Sequence, residues 1–579
     1  MRRWTKVWAL AGSATLALAA CGGGSADDSS SSDDGQIQQA SAQLDPTAMG
    51  PAPIPSGAKT GGTLRLAFAN VPETLDPTRV YYRDASAILG QLVVRSLTNW
   101  KVENGQSVLV PDLATDLGRQ SEDGLSWTFT LKKGLKYADG SPIRARDIVY
   151  ATERSFATEE LPDGPSYNLE YFKGGSTYKG PYKDKKPFEG ATAPDDRTVE
   201  FHLTKRWETF PYYASFSQMA PIPQQLDTGA DYGRNPMASG PYMFDTYSKN
   251  QLKLRKNPQW VASSDPARRQ LVDAFIFTFG ADVVPTQEGI LASNGKDATT
   301  LNTDPVDSSL VSRVKGPASK QLVTGPDPCV TYFNLDTRKI PLSVRKAFAL
   351  AYPYDAVRKA GGDTSLSVSP ATSYIAPQVP GFKRYAPVNG MTGEGNGDPV
   401  AAKKALEQAG QLGFDLSYYY INDDPQQAQI NAVLKQKLEQ AGFQVRDIGV
   451  SKDVIRKKRA DSSGAAANTQ SGPQGWCYDW AVGDSVYPPL FSSAVLRSGQ
   501  SVGFLSDPAL DAEMRRISAL PATEQGAQWS KFDERLARDY LPSVPVSYGK
   551  ANYLFGTKVH NVVNDPNRGW PDMAQIWVG

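Results

Sequence analysis

The residues best placed to do chemistry form one short run, Gly475-Trp476-Cys477-Tyr478-Asp479-Trp480, an acid among three aromatics beside a cysteine, with Val486-Tyr487-Pro488-Pro489-Leu490 close behind. Burying an unpaired carboxylate costs enough to neutralise it, so an Asp in this company needs a cation or several hydrogen bonds. A turn or an internal Arg meets that need in one reading, and a cationic group on a ligand meets it in the other. The candidate binding residues are therefore Asp479 with Trp476, Cys477, Tyr478 and Trp480.

Other chemistry finds little support. The two histidines, His202 and His560, are far apart and not spaced as ligands, which disfavours His-based metal sites and most histidine-dependent hydrolases. No Gly-x-x-x-x-Gly-Lys phosphate loop or strand-anchored Gly-x-Gly-x-x-Gly is present, and Gly393-Glu394-Gly395-Asn396-Gly397 reads as a surface loop. Nothing pairs two acids as general acid and base. The expectation is a binding protein with no metal, no cofactor and no catalytic residues.

The rest of the chain sets where such a site would work. At 579 residues it is too long for one ordinary core, so two or three domains or a two-lobed body are expected. With 62 basic against 61 acidic residues, net charge +1, no field favours nucleic acid. Arg2, Arg3 and Lys6 precede an apolar run over residues 7–20 that is too short to span a bilayer, the pattern of a secretory signal. That run ends in Leu18-Ala19-Ala20-Cys21, which resembles the bacterial lipobox, whose cysteine is lipidated and becomes the first mature residue. Residues 22–61 are Gly, Ser, Asp, Gln and Pro with little apolar content, the composition of a flexible tether. A lipidated Cys21 would anchor the body to the outer face of the membrane. It would also leave Cys329 and Cys477 as an even pair in an oxidising compartment, where a disulfide is the default and two free buried thiols the alternative.

Periodicity supplies the elements that must position the acid. Thr63-Leu64-Arg65-Leu66-Ala67-Phe68 alternates as a strand, and a helix is expected over 84–97 with Ile88, Leu89, Leu92 and Val93 on one face. Trp127, Phe129 and Leu131 share a strand face, Asp139-Gly140 marks a tight turn before a helix over about 145–156, and 196–203 supplies a second strand for the same small sheet. Ser343 is placed to cap a helix burying Val344, Ala347, Phe348 and Ala351. A strand through Phe414, Leu416, Tyr418 and Tyr420, a helix stripe of Ile430, Val433, Leu434 and Ala441, and a strand over 443–450 make a β-α-β unit with parallel strands. Trp529, Phe532, Leu536 and Tyr540 fall at helical spacing as core, and 462–474 reads as a mobile loop before the acid.

Taken in order, the phrases Val110-Pro111-Asp112-Leu113-Ala114, Trp127-Thr128-Phe129, Tyr137-Ala138-Asp139-Gly140-Ser141-Pro142, Ser239-Gly240-Pro241-Tyr242, Asn257-Pro258 and Val344-Arg345-Lys346-Ala347 resemble the extracytoplasmic solute-binding proteins, family 5, that serve peptide and nickel ABC importers. The likeness runs from about residue 62 to the C-terminus. One departure is that the Asp usual after the Val-Arg-x-Ala helix is displaced to Asp355, past Pro353. The resemblance implies an α/β, two-lobed type II periplasmic-binding-protein fold with a small domain inserted in lobe I. Carried onto this chain it gives a signal peptide at 1–20, a tether at 21–61, lobe I at 62–100, 222–328 and 545–579, the insertion at 101–221 and lobe II at 329–544. It also implies that Trp476, Cys477 and Asp479 match a Trp-Cys-x-Asp run whose cysteine pairs with one just past the first lobe and whose acid binds a peptide α-ammonium. Cys329 matches that mate in location, though not in its spacing to Asn334. The function so implied is a monomeric lipoprotein that captures oligopeptides for a permease and ATPase complex. The same fold taking an oligosaccharide, siderophore or nickel chelate, or a surface receptor or hydrolase, are the alternatives.

Overall fold

A computed structural model describes residues 43–579 except 462, 464–466, 468–473 and 497–500. The signal peptide expected at 1–20, Cys21 and nearly all of the loop expected over 462–474 lie outside the described residues.

The organising element is a nine-stranded sheet. Its centre is Thr63–Phe68, whose strict alternation buries Leu64, Leu66 and Phe68. Thr63–Phe68 lies parallel to Ala274–Phe279 on one side and to Thr300–Asn302 on the other. Beyond Thr300–Asn302 the sheet continues through two strands of 13 residues each, Ser543–Phe555 and Leu322–Asn334, and ends in the short edge strand Gln474–Cys477.

The two long strands pair antiparallel and pass from one hydrophobic core to another. Ala551, Tyr553 and Val323 pack with Leu64, Ile88 and Phe277, whereas Val330, Phe333, Val544 and Tyr548 pack with Phe348, Leu416 and Trp529. Their ladder breaks register between Pro326 and Val330, where Pro326 and Pro328 remove two amide donors. The connection between the cores is thus a paired ribbon with a flaw at its middle, a suitable place for bending.

A third core is built by residues 97–219 together with Trp480 and Val482, around a separate four-stranded antiparallel sheet in which Ser126–Thr130 pairs with Thr198–His202. Trp127, Phe129, Phe201 and Phe210 meet there at ring-centroid distances of 5.1–6.4 Å. In the second core, Asp415–Ile421 and Gln444–Val450 form a parallel pair joined by the helix Pro425–Gln440, the β-α-β unit read from the sequence. Trp529, Phe532 and Leu536 are fully buried.

Three expectations need correction. The helix over 84–97 stops early: Arg83–Ile88 gives way to a π turn, Leu89–Val93, and the chain is extended from Val94. Tertiary demand overrides helical periodicity there, because the buried Arg95 guanidinium reaches Asp112 (2.6 Å) and Ser264. Ser343 does not cap its helix; Leu342–Ala351 begins one residue before it, after Pro341. The tether ends before residue 61: Gln43–Leu44 pairs parallel with Val108 and Leu109, the Ala52 amide donates to the Asp265 carbonyl (2.8 Å), and the Lys132 ammonium donates to the Met49 carbonyl (3.5 Å). Its polar composition hid backbone pairing to an edge strand, which requires no apolar side chains.

Candidate functional site

The acidic run reaches its position through the edge strand. Gln474–Cys477 pairs antiparallel with Leu322–Asn334, setting Cys477 opposite Cys329 and Trp476 opposite Val330. The two cysteines are joined as a disulfide. The chain then leaves the sheet: the Tyr478 amide donates to the Pro328 carbonyl (3.2 Å) and its hydroxyl donates to the Pro566 carbonyl (3.0 Å). Further on, the turn at Gly483 lies against Trp529, where an added Cβ would come within 2.6 Å of the indole, so this approach requires glycine.

Asp479 therefore projects from a segment fixed on both sides. Its Oδ2 accepts hydrogen bonds from the Tyr81 hydroxyl (2.8 Å) and the Tyr167 hydroxyl (2.6 Å). Tyr81 stands just before the helix Arg83–Ile88, and Tyr167 opens the short helix Tyr167–Tyr171. Oδ1 has no donor among the described residues, and no Lys, Arg or His is paired with the carboxylate. The Arg that could have served, Arg83, is committed to Asp327, to the Gly569 carbonyl (3.0 Å) and to Cys329 Sγ (2.9 Å). Desolvation pushes the Asp479 carboxyl up to about 7, with the two tyrosine hydrogen bonds pulling the other way.

Two nearby acids show what a purely structural carboxylate looks like in the same protein. Asp533 accepts from the Tyr487 hydroxyl (2.8 Å) and the Tyr374 amide (3.0 Å) on one oxygen and from the Tyr385 hydroxyl (2.7 Å) on the other. Asp484 accepts from the Trp480 indole (2.8 Å) on Oδ1 and from the Thr209 hydroxyl (2.5 Å) on Oδ2. Both have donors on each oxygen. Asp479 has donors on one only, and the residue remains partly exposed.

The aromatics of the run divide. Trp476 is partly exposed, edge-on to Tyr81 (centroids 6.4 Å apart), and its indole donates to the Ser485 carbonyl (3.2 Å). Tyr478 and Trp480, expected to flank a ligand, are core residues at 4% and 0% exposure. Trp480 lies in the third core against Tyr167 (5.0 Å) and Phe216 (6.0 Å). Cys477 is taken up in the disulfide. Sequence reasoning missed Tyr81 and Tyr167, which lie 398 and 312 residues from Asp479 and belong to no local pattern. Among the described residues no group of three or more His, Cys, Asp or Glu could hold a metal ion, and no helix is long and apolar enough to cross a membrane.

Separate cores joined by long paired strands, with a carboxylate-bearing segment held where elements of different cores meet, define the class: an α/β protein of the two-lobed type II periplasmic-binding architecture. Residues 108–496 match the family described as bacterial extracellular solute-binding proteins, family 5 (middle), and the chain belongs to that family. It is similar to the heme-binding protein A of Haemophilus influenzae, 24% identical with 96% of each chain covered, and to the dipeptide-binding protein of Escherichia coli, 25% identical over 76% of this chain and 80% of that one. Among solved structures, the clavulanic acid biosynthesis oligopeptide binding protein 2 has the same fold, with a TM-score of 0.80 at 24% identity over 90% of this chain and 96% of that one.

Proposed function

We propose that this protein is the substrate-binding lipoprotein of an ABC importer, anchored through Cys21 at the outer face of the cell membrane, which captures oligopeptides between its lobes and passes them to a permease. It is read as a binding protein and not an enzyme. The observation that carries the peptide reading is the half-satisfied Asp479 carboxylate. A peptide α-ammonium brings a positive charge and three N–H donors, which is what Oδ1 lacks and what an acid raised to about 7 needs in order to ionise. Trp476 flanks that position, while Tyr478, Trp480 and the disulfide hold the segment in place. The dipeptide-binding relative and the oligopeptide-binding structural neighbour support this choice of solute.

The haem named for the Haemophilus relative finds less support: His560 is stacked on Trp577 (3.9 Å) and contacts the Gly579 carbonyl, and His202 contacts Thr192. The division into lobe I at 62–100, 222–328 and 545–579, an insertion at 101–221 and lobe II at 329–544 belongs to the same proposal. It is supported by the three cores, and it makes the Tyr81 and Tyr167 contacts to Asp479 bridges between lobes.

Calorimetry of the delipidated protein with a mixed peptide pool and with its N-acetylated counterpart tests the assignment. Strong weakening on acetylation is expected. Equal affinity for the two pools would remove Asp479 from the ligand site.

A further inference from the structure

Away from Asp479 the structure holds a cavity of about 420 Å³, within the usual range for small-molecule sites. One wall comes from residues 170–206 and the other from residues 488–519. The walls belong to different cores: Tyr171 packs in the core of residues 97–219, and Met514 in the core that contains Trp529. Tyr171 stacks on Trp207 at 4.1 Å, and Tyr167, one helical turn away, reaches Asp479. One lining residue of the cavity, Tyr171, thus shares a short helix with a residue that holds Asp479.

Its polar groups are unevenly satisfied. The two acids are occupied, Glu170 by Lys205 and Asp511 by the Ser493 amide (3.0 Å) and hydroxyl. Lys205 also sits 4.2 Å over the Tyr171 ring, and Arg206 pairs with Glu208 (3.0 Å). The Arg515 guanidinium and the Tyr171 hydroxyl have no hydrogen-bond or ionic partner among the described residues. A cation, a hydroxyl and a Tyr-Met-Pro surface from Tyr171, Met514 and Pro488 line one space, and no group among the described residues completes them.

We propose that this cavity is a second binding site, for a small organic carboxylate with an apolar body. Arg515 takes the carboxylate, with the Tyr171 hydroxyl adding a hydrogen bond, and the apolar body lies against Met514 and Pro488. Because its walls come from two cores, an occupant favours the arrangement in which those cores are closed on one another. The site does not depend on the peptide reading.

N-benzoylglycine is a suitable probe, since it has a carboxylate and a ring but no ammonium for Asp479. Calorimetry with the delipidated protein should show saturable binding at millimolar concentration, no binding of N-benzoylglycine amide, and a loss of about tenfold or more in R515A. Arg515 is exposed, so R515A is expected to fold, and R515Q gives a second check. D479N should leave N-benzoylglycine binding intact, so failure here and failure at the peptide site are distinguishable. Absence of saturable heat, equal binding of the amide, unchanged affinity in R515A and R515Q, or loss of binding in D479N would each overturn the proposal.

Discussion

Peptide affinity should be confined to a narrow pH window. In the ligand-free protein burial holds the Asp479 carboxyl up at about 7, so below that pH it carries a proton that an incoming ammonium must displace. The sign follows from which form binds: the ionised acid attracts the ammonium, its titration midpoint drops on binding, and affinity is fully present above about 7 and lost as pH falls. At pH 6 the free protein is about nine-tenths protonated at this group, which weakens binding about tenfold, or about 1.4 kcal/mol, and releases about 0.9 proton per peptide bound. On the alkaline side the peptide amine itself loses its proton near pH 8, so affinity falls again. Titration calorimetry at pH 6 and 7.5, in two buffers of different ionisation enthalpy, reads both the affinity and the proton count. D479N should bind weakly at every pH and release no proton. Flat affinity from pH 5.5 to 7.5 with no proton release in the unmodified protein would refute this reasoning, since it would mean either an acid already ionised or a ligand that does not meet it.

The same burial makes Asp479 costly to the empty protein: its folded pKa is raised above the unfolded value near 3.8, so the carboxyl lowers stability as pH rises from about 4 to 7, and D479N should melt higher than the unmodified protein at pH 7.5 while losing peptide. Tyr167→Phe removes one of two hydrogen bonds that favour the charged form, so it should raise the Asp479 midpoint and move the acid limb of the affinity profile to higher pH; an unshifted limb would argue against direct coupling. Replacing Cys329 and Cys477 together with Ser opens a link between residues 148 apart, and a loss of about 2–5 kcal/mol in denaturant unfolding is expected. Arg154→Ala strands Asp76 and Asp227, both on a buried guanidinium (2.7 and 3.1 Å), and should cost about 3–5 kcal/mol of stability with little direct effect on peptide affinity in the protein that remains folded.

What the sequence disclosed depended on how local each cause was. Alternation in Thr63–Phe68 and the Pro-initiated helix Pro425–Gln440 between two apolar strands are decided within a few residues, and both stand in the structure. The end of the first helix was not legible, because Arg95 is drawn out of helical register by Asp112 and Ser264, and the latter lies 169 residues further along the chain. The candidate site falls between these cases. An acid, a cysteine and three aromatics announced that something unusual had to satisfy Asp479, but not which groups do so. Asp533 makes the difficulty concrete: it stands in an amphipathic helix with no sign of its own, yet it is held by donors from Ser373, Tyr374, Tyr385 and Tyr487. The donors on each oxygen and its burial separate it from Asp479, and the donors are tyrosines brought from distant parts of the chain. The composition around an acid can therefore locate a candidate site, whereas the unfilled oxygen that argues for a ligand can be recognised only after the lobes have been folded.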